Sequence, residues 1–301
     1  MDVLEKGLKI MSLVLTYQIC LKNHHQSLGN FLKQQALSKK AISVLKHQSG
    51  KIDVNGKVQT TRFILHVGDV VTVTFPEESV SHALVPIQLD LAIIYEDDFL
   101  LVVDKQAGLP VMPTGQHGTS LANGILAYYE TIGLKSTVHF VNRLDKDTSG
   151  LLLIAKYRQL HHLLTMDNKH LKRKYYALVS GILQQSGRIN APIIRPSADS
   201  IKRTIHPDGK FAITHYEVVE NFTSETLVRC RLETGRTHQI RVHMRHLGHH
   251  ILKDPLYGDG VAGDQQLLHS YLLEFVHPMT GETLRFETDV PSRFEINQVA
   301  T

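Results

Sequence analysis

The pattern of apolar and polar positions is most informative between residues 142 and 155. Five successive apolar residues, Leu151-Leu152-Leu153-Ile154-Ala155, follow Gly150 without a polar interruption, which predicts a strand covered on both faces. Directly before them stands Asn142-Arg143-Leu144-Asp145-Lys146-Asp147-Thr148-Ser149-Gly150, a turn that packs two carboxylates, two cations and two hydroxyls. Charged groups at the end of a buried strand face either solvent or a ligand. A solvated turn and a functional site are both consistent with this stretch alone.

The periodicity elsewhere predicts two units. Near the N-terminus, Ser27 caps a short helix carrying Leu28, Phe31 and Leu32, and Ser38 caps a second carrying Ile42 and Leu45 that stops at Gly50. Ile52 and Val54 lead into Asn55-Gly56, a two-residue hairpin signal, and Gly68-Asp69 introduces an alternating strand over 71–75. After Pro76-Glu77-Glu78-Ser79 the composition changes, so residues 77–90 read as a linker between a unit at 13–76 and one at 91–296. The second unit reads as strands at 91–95, 99–103, 175–179, 215–219 and 227–232. Helices are marked by Leu121/Ile125/Tyr129 and Leu160/Leu164. Helices between hairpin-linked strands argue for an α+β fold with a largely antiparallel or mixed sheet.

Composition sets limits on this picture. A chain of 301 residues with 42% hydrophobic and 21% charged residues is that of a globular protein able to bury a core in two domains. Cys20 and Cys230, far apart, read as reduced core residues in a cytoplasmic protein and form no zinc-ligand pattern. No apolar run approaches the roughly 20 residues of a membrane span, and residues 1–10 read as a loose extension. The formal charge is only +4, yet between Lys22 and Arg62 the residues Lys22, Lys33, Lys39, Lys40, Lys46, Lys51, Lys57 and Arg62 face a single acid, Asp53. That is the footprint of a phosphate-binding surface, although a basic solvated face has the same composition.

A second polar constellation runs Glu233-Thr234-Gly235-Arg236-Thr237-His238-Gln239-Ile240-Arg241-Val242-His243-Met244-Arg245. Thr237 is its expected N-cap, Ile240, Met244 and Leu247 form an apolar stripe, and Gly248 ends the helix. Arg241 and Arg245 share another face, suited to pairing with a carboxylate or phosphate. The histidines at 238, 243, 246, 249 and 250 match no metal-ligand spacing. The pentad Asp145-Lys146-Asp147-Thr148-Ser149 nearly fits the Asp-x-Asp-x-Thr/Val signature of aspartate-nucleophile phosphohydrolases. It departs at Ser149, and the parallel alternation of that fold is not what the chain reads as.

A wider set of motifs points elsewhere. Arg143-Leu144-Asp145-x-Asp147-Thr148-Ser149-Gly150, Lys174-Tyr175-Tyr176-Ala177-Leu178-Val179-x-Gly181 and Thr234-Gly235-Arg236-Thr237-His238-Gln239-Ile240-Arg241 occur in the order of the RluA family of pseudouridine synthases. Asp254-Pro255-Leu256-Tyr257-Gly258 and His269 with Phe275-x-His277-Pro278 continue that order, and the chain resembles this family over residues 91–292. The resemblance implies a pseudouridine synthase fold without metal or cofactor. It implies Asp145 as catalytic nucleophile or base, Tyr175 stacking on the extruded uracil or assisting proton removal, Arg241 paired with Asp145, and Arg143 holding the opened RNA.

Asn142 stands where that family usually has His, and Gln106 where it has Pro. The order of Leu28-Gly29-Asn30-Phe31-Leu32, Ser38, Gly50 to Lys57 and Gly68-Asp69 over residues 13–76 resembles the small RNA-binding module named after ribosomal protein S-four. That resemblance puts Lys39, Lys40 and Lys46 on phosphates. The expected partner is structured RNA, ribosomal large-subunit RNA first and transfer RNA second, bound by a monomer. A noncatalytic RNA-binding or ribosome-assembly factor on the same fold is the alternative.

Overall fold

The computed structural model describes residues 12–78, 84–113, 118–166 and 171–294. The expected loose extension and part of the 77–90 connection lie outside the described residues.

The N-terminal elements are β1 (Val14–Gln18), α1 (Leu28–Gln34), α2 (Lys39–His47), β2 (Lys51–Val54), β3 (Lys57–Val58) and β4 (Val70–Thr74). They build a four-stranded antiparallel sheet in the order β1-β4-β2-β3. Both expected caps form: Ser27 Oγ accepts from Asn30 N at 3.3 Å and Ser38 Oγ from Ala41 N at 3.1 Å. Asn55 and Gly56 turn with φ of 53° and 78°, the two positive values that a tight hairpin of this length needs. Asn55 also ties that hairpin to the start of β4, its Oδ1 accepting from Val70 N and its Nδ2 donating to Asp69, each at 2.8 Å.

The remaining elements form the larger unit. In order they are β5 (Ala92–Glu96), β6 (Leu100–Lys105), α3 (Leu121–Thr131), β7 (His139–Phe140), β8 (Ser149–Ala155), α4 (Arg158–Met166) and β9 (Lys172–Ser180). Then come β10 (Gly187–Asn190), β11 (Ile193–Ile194), β12 (Thr204–Ile205), β13 (Ile213–Asn221), β14 (Glu225–Leu232), α5 (Gln239–His246), β15 (Leu268–Val276) and β16 (Thr283–Glu287). Ten strands share one sheet with the path β10-β13-β14-β9-β15-β8-β6-β5, while β16 adds to β15 and β7 to β8. Among the described residues only β8 and β15 pair in parallel, so the alternating parallel sheet of a phosphohydrolase is absent.

The five-residue apolar run lies inside β8, which is buried along its whole length as the pattern predicted. Its parallel partner approaches so closely that Gly150, at φ +113°, has no room for a side chain. A Cβ there would lie 2.5 Å from Ser270 N. The segment after the first sheet is fastened to this unit by Glu78, whose carboxylate meets His139 Nε2 at 2.7 Å and accepts from Arg158 N at 2.7 Å.

Three expectations are corrected. The residue preceding α5 is His238, in the left-handed region with φ 57°, and not Thr237, because Arg236 to His238 form a turn wired to the side chain of Gln239. Cys20 is exposed beside a short 3-10 turn, and only Cys230, on β14, is a core residue. Strands β15 and β16 were not foreseen. His269 and Ser270 interrupt the apolar run of β15, and both are buried with their hydrogen bonds met by neighbouring strands, a condition that periodicity does not encode.

Candidate active site

Asp145 sits in the connection from β7 to β8, and the backbone around it is fixed from several directions. Thr148 N donates to Asp145 O at 3.2 Å, closing the turn. Lys105, 1% exposed at the end of β6, donates its Nζ to the carbonyls of Gln106, Leu109 and Lys146 at 2.8–2.9 Å. Three donors are thus spent on three carbonyls, and they bind the loop after β6 to the loop that carries Asp145. Burial pushes the Lys105 ammonium down to about 8, against the pull of Asp147 and Asp145. Upstream, Asn142 is buried and extends the sheet with its amide: Nδ2 donates to Leu151 O at 3.3 Å and Oδ1 accepts from Leu153 N at 2.8 Å. A side chain with one donor and one acceptor side by side suits that task.

Arg241 comes from α5, 96 residues further along the chain. Its Nη1 donates to Asp145 Oδ2 at 2.8 Å, while Nε and Nη2 grip both oxygens of Asp254 at 2.8 Å each. The Asp254 side chain is wholly buried and also accepts from Leu256 N and Tyr257 N, whereas that of Asp145 is 26% exposed. Burial works against the charge on Arg241, but Asp254 and Asp145 outweigh it and raise its pKa. Burial would likewise raise the Asp254 carboxyl, and the Arg241 fork reverses this and lowers it. The Tyr257 ring lies 5.1 Å from the guanidinium carbon. Arg245, one helical turn on, instead borders a cleft of about 600 Å³ shared with Lys202, His250 and Tyr257.

Tyr175, on β9, is 5% exposed and sits opposite Ser270 of β15. Burial pushes its phenol pKa up, and Asp145 is near enough to add to the effect. Asp145, Tyr175 and Arg241 are therefore brought together, as expected. Arg143, two residues before Asp145 in the chain, is exposed. Lys39, Lys40 and Lys46 are exposed on α2 and take no part in this cluster, and Lys46 Nζ donates to Thr61 Oγ1 at 2.9 Å. Among the described residues, no group of three or more His, Cys, Asp or Glu could hold a metal ion.

Residues 99–246, which span the strand-and-turn framework and both arms of this cluster, match the RNA pseudouridylate synthase family. The chain is 43% identical over 261 residues to the uncharacterized RNA pseudouridine synthase YjbO of Bacillus subtilis, across 85% of this chain and 92% of that one. The chain belongs to the RNA pseudouridine synthase family. It is also 39% identical over 261 residues to the ribosomal large subunit pseudouridine synthase D of Vibrio cholerae, covering 80% of each. Among solved structures, human RNA pseudouridylate synthase domain containing 4 aligns with a TM-score of 0.57 at 23% identity. It covers 68% of this chain and 90% of its own, and confirms the fold.

As a pseudouridine synthase the chain catalyses an isomerisation, and it carries around Asp145 and Arg241 several residues that the sequence did not single out. Asp254 holds the far side of Arg241, and Tyr257 covers it. His238 places its Nε2 3.8 Å from Asp145 Oδ2. Gln239 fixes the turn before α5, its Oε1 accepting from Thr234 Oγ1 and Arg236 N and its Nε2 donating to Ile213 O. Gln266 Nε2 donates to Thr148 Oγ1 at 2.9 Å, which secures the turn after Asp145. The available signals were the motifs themselves, Thr234 to Arg241 for His238 and Gln239 and Asp254 to Gly258 for Asp254 and Tyr257, whose connections to Asp145 and Arg241 only the folded chain displays.

Proposed function

We propose that this synthase acts on uridines in structured RNA with Asp145 as the carboxylate that reacts with a flipped-out nucleotide, as nucleophile or as base. Extrusion is needed because the sugar-to-base bond and the uracil ring are inaccessible within a stack. The reaction breaks the bond from C1′ to N1, turns the uracil and rejoins C1′ to C5. C5 loses a proton and N1 gains one, so the balance requires neither oxidant nor external proton donor. The observation that carries the reading is the chain Asp254–Arg241–Asp145, in which a buried guanidinium fork presents one partly exposed carboxylate. Burial raises the Tyr175 phenol from a value already above neutral pH, so the neutral ring is favoured further and a stacking role is supported over a basic one. The exposure of Arg143, two residues before Asp145, supports a contact of this side chain with the opened RNA.

Residues 13–76 are proposed as an S-four-type RNA-binding domain, with Lys39, Lys40 and Lys46 on phosphates, and residues 91–296 as the catalytic domain. The exposure of these lysines on α2 supports this. The relatives named for the large ribosomal subunit support large-subunit ribosomal RNA as substrate, with transfer RNA second, and hence a cytoplasmic site of action.

Tritium release from RNA labelled at uracil C5 tests the chemistry: wild type releases label and Asp145→Asn does not. Release by the variant would remove Asp145 from its role. Pseudouridine maps of large-subunit ribosomal RNA from cells with and without the protein test the substrate, and identical maps would overturn it.

A further inference from the structure

His238 occupies a backbone conformation that the chain does not need for helix formation. It precedes α5 with φ 57° and ψ 21°, and its side chain caps no backbone N–H of the helix. A left-handed conformation is strained for a residue with a Cβ, and a helix start normally favours Ser, Thr, Asp or Asn, whose side chain caps a free backbone N–H. A position that gives up both has its side chain held for another reason.

The hydrogen bonds around the ring define that reason. Arg203 N donates to Tyr257 Oη at 2.6 Å, and Tyr257 Oη lies 2.8 Å from His238 Nδ1. With Arg203 N already donating to Tyr257 Oη, the arrangement that gives the hydroxyl hydrogen an acceptor among the described residues is donation to Nδ1, and the hydrogen is assigned there. The proton of the neutral imidazole therefore resides on Nε2, the atom 3.8 Å from Asp145 Oδ2. Burial, acting before the nearby charges of Asp145, Arg241, Arg203 and Asp254, lowers the His238 pKa and keeps the ring neutral. Arg241 Nη1 already donates to the same Oδ2, while Oδ1 of Asp145 has no hydrogen-bond partner among the described residues.

We propose that His238 is a positioning residue for Asp145: its Nε2–H joins Arg241 on Oδ2, stops the carboxylate from rotating about a single hydrogen bond, and leaves Oδ1 as the oxygen that meets the nucleotide. The contact becomes a hydrogen bond on closing by about 0.6–1 Å, a tightening common when substrate fills a site. This rests on the assignment of Asp145 as the reacting carboxylate.

The test is single-turnover pseudouridine formation with RNA binding measured in parallel, on His238→Asn, His238→Gln, Tyr257→Phe and Asp145→Asn. Asn tolerates the left-handed backbone but is too short to reach Asp145, so its rate falls about 10- to 100-fold with RNA affinity and thermal midpoint unchanged. Gln restores an N–H at the position of Nε2 and recovers most of the rate. Tyr257→Phe, which frees the tautomer, gives a smaller loss. Equal rates for wild type and His238→Asn, or an Asn variant faster than the Gln variant, would overturn the proposal. An active Asp145→Asn protein would instead remove the assignment on which it rests.

Discussion

Asp145 and Asp147 stand two residues apart in the same turn, and their surroundings separate them. Asp145 Oδ2 takes the Arg241 guanidinium, whereas Asp147 has burial as the main influence on its carboxyl, which raises its pKa despite Lys146, Arg241 and Lys105. The decisive neighbour is Asp254. It takes two of the three Arg241 hydrogen bonds and orients the third toward Asp145, so its removal leaves a buried guanidinium half unpaired. We expect Asp254→Ala to lose about 3 kcal/mol of unfolding free energy in urea titration, the scale of breaking one partner from a buried pair. Pseudouridine formation should fall at the same time. An unchanged unfolding midpoint would mean that Arg241 is held by other groups. Asn142 needs no imidazole to serve here, since both hydrogen bonds of its amide go to β8.

At the scale of elements, the junction of β8 with β15 determines where the catalytic turn ends. Ser149 pairs with His269 and Gly150 with Ser270 in the parallel register, and this is where the Gly150 conformation is required. Gly150→Ala would place a methyl group against the Ser270 backbone at positive φ. The expected loss is at least about 2 kcal/mol, from overpacking and backbone strain together, seen as a lowered thermal midpoint. Wild-type stability in this variant would show that the two strands can part without cost. Arg293 reinforces the same junction from near the C-terminus, donating Nη2 to Ser149 Oγ and Leu268 O at 3.0 Å.

Across the whole molecule, four histidines share one electrostatic tendency. Burial lowers the pKa of His161, His238, His243 and His269, the last to about 4 with Arg293 adding to the effect. In the unfolded chain each titrates near 6.5, so between pH 6.5 and 4 the unfolded state binds more protons and stability falls as pH falls. His269 alone, bridging Ser149 Oγ and Thr288 Oγ1 at 2.8 Å each, accounts for about 2 kcal/mol lost between pH 7 and 5. Carboxylates with lowered pKa, such as Asp97 and Asp254, lose their contribution only below about pH 4, while Asp104 and Asp147, raised by burial, act in the opposite direction to the histidines, so the comparison with a His269 variant is what singles out the imidazole. Urea unfolding at pH 7 and pH 5 should show the drop, and His269→Gln should flatten it. A slope unchanged by that substitution would place the protons elsewhere.

The sequence by itself determined the elements whose causes are local. The caps at Ser27 and Ser38, the Asn55-Gly56 turn, and the buried run of β8 all depend on residues within a few positions of each other, and the motifs around Asp145 and Arg241 carried the family resemblance. Tertiary structure decided which residues meet. That β8 lies between β15 and β6, that Asp254 completes the arginine fork, and that His238 turns back toward Asp145 from a left-handed backbone all depend on contacts between distant segments. Local propensity and periodicity carry no term for such contacts, because hydrogen bonds between distant segments are chosen only when the sheet assembles.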